Sequence, residues 1–237
     1  GFAEYQLEKL DFTNNFSGTR HIVQGSFKHK KLVVQQNSSF MKSTGTISNT
    51  DFVRNQTRAK LHFKKNWIGG SFNLEDNQEQ LVATNQFTTL SQRFSEYGAF
   101  IGRGDSTKVY AEIGYLNRKN DSLQSGILQR VNTSDSYYLK SKLIQNKKTN
   151  LSLFVNYRRL KYTDATIPTE PSLNSRLLYN DNFFNQLIQT TVAYETASGT
   201  IAQQEFTYLE VNPGQGVYVW NDYNNNGIQE LQEFEIA

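Results

Sequence analysis

The chain has 237 residues, of which 37% are hydrophobic and 13% aromatic, and its mean hydropathy is -0.63. A disordered chain is poor in aromatic residues, so the 13 Tyr and 16 Phe argue against disorder. The net charge of +3 comes from scattered basic residues, which argues against a nucleic-acid-binding protein with a concentrated basic stripe. Low hydropathy with many aromatics instead predicts a sheet with one buried and one wetted face.

The cellular setting is indicated by what the sequence lacks. Cysteine is absent, which fits a bacterial envelope protein that avoids disulfides. No leader peptide is visible at Gly1, and no stretch approaches the roughly 20 apolar residues of a membrane helix. We therefore expect either a removed leader or an interior piece of a longer protein, and the end at EFEIA favours the interior piece.

Alternation of apolar and polar residues predicts β-strands along most of the chain. The segment RAKLHFKK places Ala59, Leu61 and Phe63 on one side and basic residues on the other. The same pattern recurs in KVYAEIGY at 108–115, YYLKSKL at 137–143 and LSLFVNY at 151–157. Successive strand side chains point to opposite faces, so each segment makes one apolar and one polar surface.

Turn signals separate these strands at 102–107, 145–150 and 197–200, and each predicts a hairpin. The fold class is therefore all-β, an antiparallel meander of ten to twelve long strands in one β-rich domain over residues 1–237. Two segments lack the strand pattern. Residues 76–96 are predicted to hold a helical turn or two, and residues 163–176, with two prolines, a long connection.

Long strands with one polar face fit two architectures. The first is an open or rolled sheet with one face covered by other parts of the protein. The alternative is a section of an outer-membrane β-barrel, whose apolar face meets lipid and whose polar face lines a wet interior. Polar residues that interrupt the apolar faces, as in Leu187–Gln189–Thr191, weaken the barrel interpretation.

The segment WNDYNNNGIQELQEFE at 220–235 is the strongest chemical motif. From Asp222 to Glu233 it matches the calcium-loop pattern D-x-[DN]-x-[DN]-G-x5-E without a gap. Calcium takes six to eight oxygen ligands, and glycine at 227 permits the sharp turn between the two halves of the loop. The predicted Ca²⁺ ligands are Asp222, Asn224, Asn226, the main-chain oxygen of Ile228, Glu230 and Glu233.

This loop departs from a helix-loop-helix calcium site, because the preceding GVYVW is predicted to be a strand and position eight holds Gln229. Residues 216–235 are therefore a strand plus calcium-loop motif that acts as a structural clip. The alternative is a polar, Asn-rich turn without an ion.

The segment GVYVWNDYNNNGIQELQE resembles the calcium-bearing strand and loop of the B-type repeats of bacterial surface adhesins. A wider resemblance, from about Arg93 to the end, links GRGDSTKVYAEIGYLNRKNDS and SYYLKSKLIQNKKTNLSLFVNYR to very large uncharacterised envelope proteins of Bacteroidota. There, similar sequence lies in mid-chain. The resemblance implies an outer-membrane or cell-surface setting and no known reaction.

Other candidate sites are weaker. Arg103-Gly104-Asp105 is an integrin-type tripeptide in a predicted turn, and His21, His29 and His62 lack metal-ligand spacing. No nucleophile motif or phosphate-binding loop occurs. Aromatic residues that lie close in sequence are interpreted mainly as packing and alternatively as a sugar-binding face: Trp67, Phe72, Tyr97 and Phe100.

Together these observations predict a non-enzymatic structural or binding segment of a bacterial outer-membrane or cell-surface protein, with one structural calcium loop. Its partners would be other segments of the same large protein or envelope proteins, with outer-membrane association and no nucleic acid. The alternatives are a barrel part involved in transport or translocation, and an adhesin or glycan-binding module.

Overall fold

The computed structural model describes residues 1–236 except 13–15, 106–107, 185–186, 199–217, 225, 228 and 231–232. The chain divides into two compact units, Gly1–Gly199 and Thr200–Ala237. The prediction of a single domain over residues 1–237 stays a prediction, and each unit is described by itself.

The first unit is one antiparallel sheet of eleven strands, each hydrogen-bonded to its sequence neighbours. The strands are β1 (Phe2–Phe12), β2 (Phe16–His29), β3 (Leu32–Gly45), β4 (Ser48–Phe63), β5 (Asn66–Leu81), β6 (Gln92–Gly104), β7 (Tyr110–Gln124), β8 (Ile127–Gln145), β9 (Thr149–Tyr162), β10 (Glu170–Phe183) and β11 (Ile188–Ser198). In the second unit, β12 (Tyr218–Trp220) pairs with β13 (Phe234–Ile236). The all-β antiparallel meander is confirmed.

The described part of the chain holds no helix long and apolar enough to cross a membrane. The predicted helical turns within 76–96 are wrong, because β5 continues to Leu81 and β6 begins at Gln92. The intervening turn is held by Ser91, whose buried hydroxyl donates to the main-chain oxygen of Glu79 at 2.9 Å. The connection predicted over 163–176 is shorter, since β10 starts at Glu170 and takes Pro171 at its second residue, near the strand end where proline is tolerated.

The predicted alternation is confirmed by the register. Residues directly opposite each other on antiparallel strands share a face, so one face can be followed across the whole sheet. Glu112 lies opposite Gly102 and Lys140, whereas Ile113 lies opposite Ile101 and Leu139. The sheet therefore has a Glu112 side, which is mainly polar, and an Ile113 side, which is mainly apolar.

The sheet curls toward the Glu112 side. A cavity of about 520 Å³ on that side is lined by residues of all seven strands from β3 to β9, including Gln35 and Asn156. On the same side Arg58 of β4 contacts Glu112 of β7 at 2.7 Å, although three steps of about 4.8 Å would hold these two strands about 14 Å apart in a flat sheet. We call the Glu112 side the concave face and the Ile113 side the convex face.

Glycines opposite large aromatic residues let the concave face pack. Each ring lies over a glycine on the neighbouring strand, and a Cβ on that glycine would come within 2.6 Å of the ring. The pairs are Gly69 with Phe100, Gly102 with Trp67, and Gly114 with Tyr138. These three aromatics are the buried hydrophobic residues of the described chain, at 3–7% exposure. An aromatic ring that covers a glycine restores packing where the sheet bends.

We predict that Gly114→Ala destabilises the sheet by about 1–3 kcal/mol, because the new methyl group would displace the Tyr138 ring from its packed position. Gly70→Ala is the matched control: it lies on the convex face of β5, and its added Cβ would meet only the Gly98 carbonyl oxygen, at 3.3 Å. Urea unfolding of the refolded protein measures both. Equal losses in the two variants would contradict the packing role of Gly114.

Candidate functional site

The convex face carries a continuous aliphatic row across seven strands. Each member lies directly opposite the next in the register. The row is Leu32, Leu61, Ile68, Ile101, Ile113, Leu139 and Val155. Ile68, Ile101 and Ile113 are 50–57% exposed. Large contiguous apolar patches are rare on soluble monomers and mark contact with a protein or a membrane.

Tyrosines and charges border this row toward one end of the strands. Tyr115, Tyr137 and Tyr157 form the next row across β7, β8 and β9, with the first two rings 5.3 Å apart between centroids. Beyond them the convex face turns polar with Asp135 opposite Arg159. An apolar zone, then tyrosines, then charges is the order found across the boundary of a bilayer.

A charged cluster lies further along the same border. The Asp121 carboxylate accepts hydrogen bonds from Arg93, at 3.0 Å from its Nε, and from Arg130, beside a register shift at Asn120/Asp121. The Asp121 side chain is buried although it sits on the polar part of the convex face. These ion pairs lie outside the aliphatic row, and the two arginine side chains remain 39–42% exposed to water.

The polar residues of Leu187–Gln189–Thr191 do not interrupt the apolar face of the sheet, so they do not weaken the barrel interpretation. Leu187 precedes β11, and the register places Gln189 and Thr191 opposite Asn182 and Asn180 on the concave face. Ile188, Val192 and Tyr194 point to the convex face, and their exposure is 45–61%. The prediction therefore placed these polar residues on the wrong face of the strand. An offset of one residue is enough to exchange the two faces.

Glu112 is the centre of the polar network on the concave face. Its side chain is 5% exposed and accepts three hydrogen bonds. Arg58 Nη2 donates at 2.7 Å, Trp67 Nε1 at 2.9 Å and Tyr138 Oη at 3.1 Å. Arg58 also lies 3.7 Å from the centroid of the Phe100 ring. The network ties β4, β5, β7 and β8 together across the concave face.

The four aromatic residues considered as a sugar-binding face do not share one surface. Trp67 and Phe100 are buried on the concave face. Phe72 and Tyr97 face each other on the convex side, with ring centroids 5.1 Å apart. The four residues lie close in sequence, but the alternation along β5 and β6 places them on opposite faces of the sheet.

The remaining candidates lie at strand ends or on separate strands. Arg103 and Gly104 end β6, and Gly104 adopts a φ of +114° at the start of the turn that contains Asp105. His21 and His29 lie on β2 and His62 on β4. Within the described ranges no group of three His, Cys, Asp or Glu residues is placed to hold a metal ion.

The predicted calcium loop lies in the second unit, between β12 and β13. The Asp222 carboxylate accepts main-chain N–H donors from Asn226 at 3.1 Å and Gly227 at 2.9 Å. Gly227 has a φ of +69°, the left-handed conformation that the motif requires of this position. Asn224 Nδ2 donates to Glu230 Oε2 at 2.9 Å. The Asp222 carboxylate therefore caps a turn that reaches Gly227, the calcium-site assignment stays a prediction, and Ile228 lies outside the described residues.

Glu233 lies at the start of the returning half of the loop, beside β12: the Asn221 N–H donates to its main-chain oxygen at 2.9 Å. Its residue is 2% exposed, and Oε2 accepts the Trp220 indole N–H at 2.9 Å. The other carboxylate oxygen, Oε1, is buried and has no hydrogen-bond partner among the described residues. On β13, the Glu235 carboxylate accepts a hydrogen bond from the Tyr223 hydroxyl, which raises the pKa of that phenol.

The comparisons with known proteins give a distant structural likeness. No protein-family model and no curated protein matches this chain. Among solved structures, the chain is similar to the crystal structure of the beta domain of the Bordetella autotransporter BrkA. The identity is 10% and the TM-score 0.31, and the match covers 84% of this chain and 91% of that chain. A likeness of that degree assigns the chain to no family.

We predict that Glu112→Gln costs about 2–3 kcal/mol of unfolding free energy, because Arg58 loses its carboxylate in a largely desolvated network. Glu75→Gln is the control on the same face. Its partner Arg54 lies 2.9 Å away, but the pair is more exposed, at 47% and 21% for the two side chains. The control should cost about 0–1 kcal/mol. Denaturant unfolding measures the loss of unfolding free energy in both variants. Similar losses would contradict the central role of Glu112.

Proposed function

We propose that the first unit is a section of the wall of a bacterial outer-membrane β-barrel. The convex face meets lipid, and the concave face lines a polar interior. The observation that carries this proposal is the aliphatic row from Leu32 to Val155. Five of its seven side chains are exposed, and no helix or second sheet covers the row among the described residues of the unit.

Strand length and backbone pairing support the same proposal. Strands β2 to β10 have 13 to 19 residues, whereas a strand needs about 9–11 residues to cross a bilayer. Each of these strands pairs on both sides, so its main-chain groups are satisfied without water, as the hydrocarbon interior requires. The charged concave side chains, including Arg58 and Glu112, would face the interior rather than the lipid.

In this proposal the segment acts structurally and by binding, and not as an enzyme. It belongs in the outer membrane, and its partners are other segments of the same wall or envelope proteins. The polar concave face would border a passage for transport or translocation. A soluble sheet covered by another domain would require the aliphatic row to be buried by protein instead of by acyl chains.

Replacement of Ile113 by lysine tests whether the convex face is surrounded by lipid or by water. Ile113 is 57% exposed, so a lysine there would be nearly neutral in a protein surrounded by water. In a bilayer the same charge near mid-depth costs about 2–4 kcal/mol. We therefore expect Ile113→Lys to lose about that much unfolding free energy in urea titrations of protein folded into phosphatidylcholine vesicles.

Asn174→Lys is the control, since Asn174 is exposed on the concave face opposite Asn156. It should fold into vesicles like the parent protein. The barrel-wall proposal fails if the parent chain is monomeric in buffer without detergent, or if both lysine variants behave alike in vesicles.

We further propose that the loop from Asp222 to Glu233 binds Ca²⁺. The observation that favours it is the buried, unpartnered Oε1 of Glu233. A buried carboxylate oxygen without a donor costs free energy that a cation would offset. Asp222, Asn224, Asn226, the main-chain oxygen of Ile228, Glu230 and Glu233 supply the oxygen donors that calcium prefers, and the ion would clip the strand ends of the second unit together.

Glu233→Gln should abolish the stabilisation of the second unit by calcium. We expect about 10 mM CaCl₂ to stabilise the second unit of the parent chain by roughly 1.4–2.7 kcal/mol, if the affinity is that of extracellular modules. The variant should gain nothing from calcium, yet match or exceed the parent in chelator, because the unpaired buried charge is gone. Calorimetric unfolding in calcium and in chelator measures both effects.

Glu235→Gln is the matched control, because Glu235 is exposed and bonded to Tyr223. It should keep the full response to calcium. An equal loss of stability for Glu233→Gln in calcium and in chelator would show that the loop is a polar turn without an ion.

A further inference from the structure

The cavity of about 520 Å³ on the concave face has the chemistry of a binding site. Cavities of roughly 300–1,000 Å³ with convergent polar groups are the usual size for small ligands. Its walls come from strands that are far apart in the sheet, β3 and β4 on one side and β9 on the other. A ligand there would contact both walls at once.

Side-chain amides on both walls have no hydrogen-bond partner among the residues that the structure describes. Gln35, Asn37, Gln56 and Asn156 line the cavity, and none of their amide groups takes part in a hydrogen bond with a described residue. By contrast, the neighbouring Asn73 amide donates to Glu96 at 2.8 Å. Each free amide offers two donor protons and an acceptor oxygen, so the walls can match a ligand that both donates and accepts.

The charge and the apolar surface of the cavity lining further restrict the class of ligand that it can bind. The Arg58 charge is balanced by Glu112 at 2.7 Å, which leaves Lys140 and Glu96 as opposite charges on the lining. Phe154 adds a flat apolar surface beside Asn156. A neutral lining with free amides and an aromatic surface suits sugar rings, which carry hydroxyl groups at the rim and C–H groups on their faces.

We propose that this cavity binds a neutral oligosaccharide. The inference goes beyond the barrel-wall proposal, since it needs only the curled concave face. Hydroxyl groups of the sugar would bond to Gln56 on one wall and Asn156 on the other, with a ring against Phe154.

The test is calorimetric titration of the full chain, in detergent micelles and in vesicles, with maltohexaose, cellohexaose and mannohexaose. We expect at least one hexaose to bind. Gln56→Met and Asn156→Leu keep the side-chain size and remove the amide, so each should weaken binding about tenfold while the sheet stays folded. Asn180→Leu is the control, because Asn180 lies on the concave face of β10 outside the cavity lining and should bind normally.

Three results would overturn the proposal. The first is the absence of hexaose binding at about 10 mM in either medium, a concentration that would detect even millimolar affinity. The second is hexaose binding that both amide variants retain. The third is binding of an Asn-Gly hexapeptide that depends on Gln56 and Asn156 when no hexaose binds, which would assign the cavity to polypeptide. None of these outcomes alters the vesicle result for Ile113→Lys.

Discussion

The register of the antiparallel ladder is the constraint on which the rest of this structure depends. Every strand from β2 to β10 is paired on both sides. Because alternate residues of a strand point to opposite faces, this pairing fixes the face on which each side chain lies. A slip of one residue in one hairpin would move its polar residues into the aliphatic row and its aliphatic residues into the Glu112 network. The two chemistries of the sheet are therefore consequences of one pairing scheme.

Glycine, aromatic and charged residues then convert a flat ladder into a curled one. Glycines on the concave face remove the Cβ atoms that would resist bending, and the rings of Phe100, Trp67 and Tyr138 fill the space. Glu112 then fastens the curl, because its three donors come from β4, β5 and β8. A carboxylate with fewer donors would be too costly to bury there, so the network has to be complete to be stabilising.

The sequence predicted local structure well and distant contacts poorly. Alternation in 58–63 and 151–157 identified both strands and their faces, since period two is a property of neighbouring residues. For Leu187–Gln189–Thr191 the predicted face was wrong, because Leu187 precedes the strand and the pairing with β10 places Gln189 and Thr191 on the concave face. The pair Arg58–Glu112 spans 54 positions, and its contact follows from the curl, which no local pattern encodes. The calcium motif predicted a loop from local spacing. The burial of Glu233 Oε1 without a donor depends on how the loop packs against β12, which no local pattern indicates.

The number of strands limits how the barrel wall proposed above could close. With eleven strands in strict alternation, β1 and β11 run in the same direction, and in the described residues each pairs on one side only. Direct pairing of these two edges would make a parallel ladder, whereas bacterial single-chain barrels have an even number of antiparallel strands. An all-antiparallel closure therefore needs an odd number of further strands between β11 and β1. Tyr5 and Leu7 remain exposed on β1, and the strand lacks proline, so its main-chain donors stay available for pairing with such a strand.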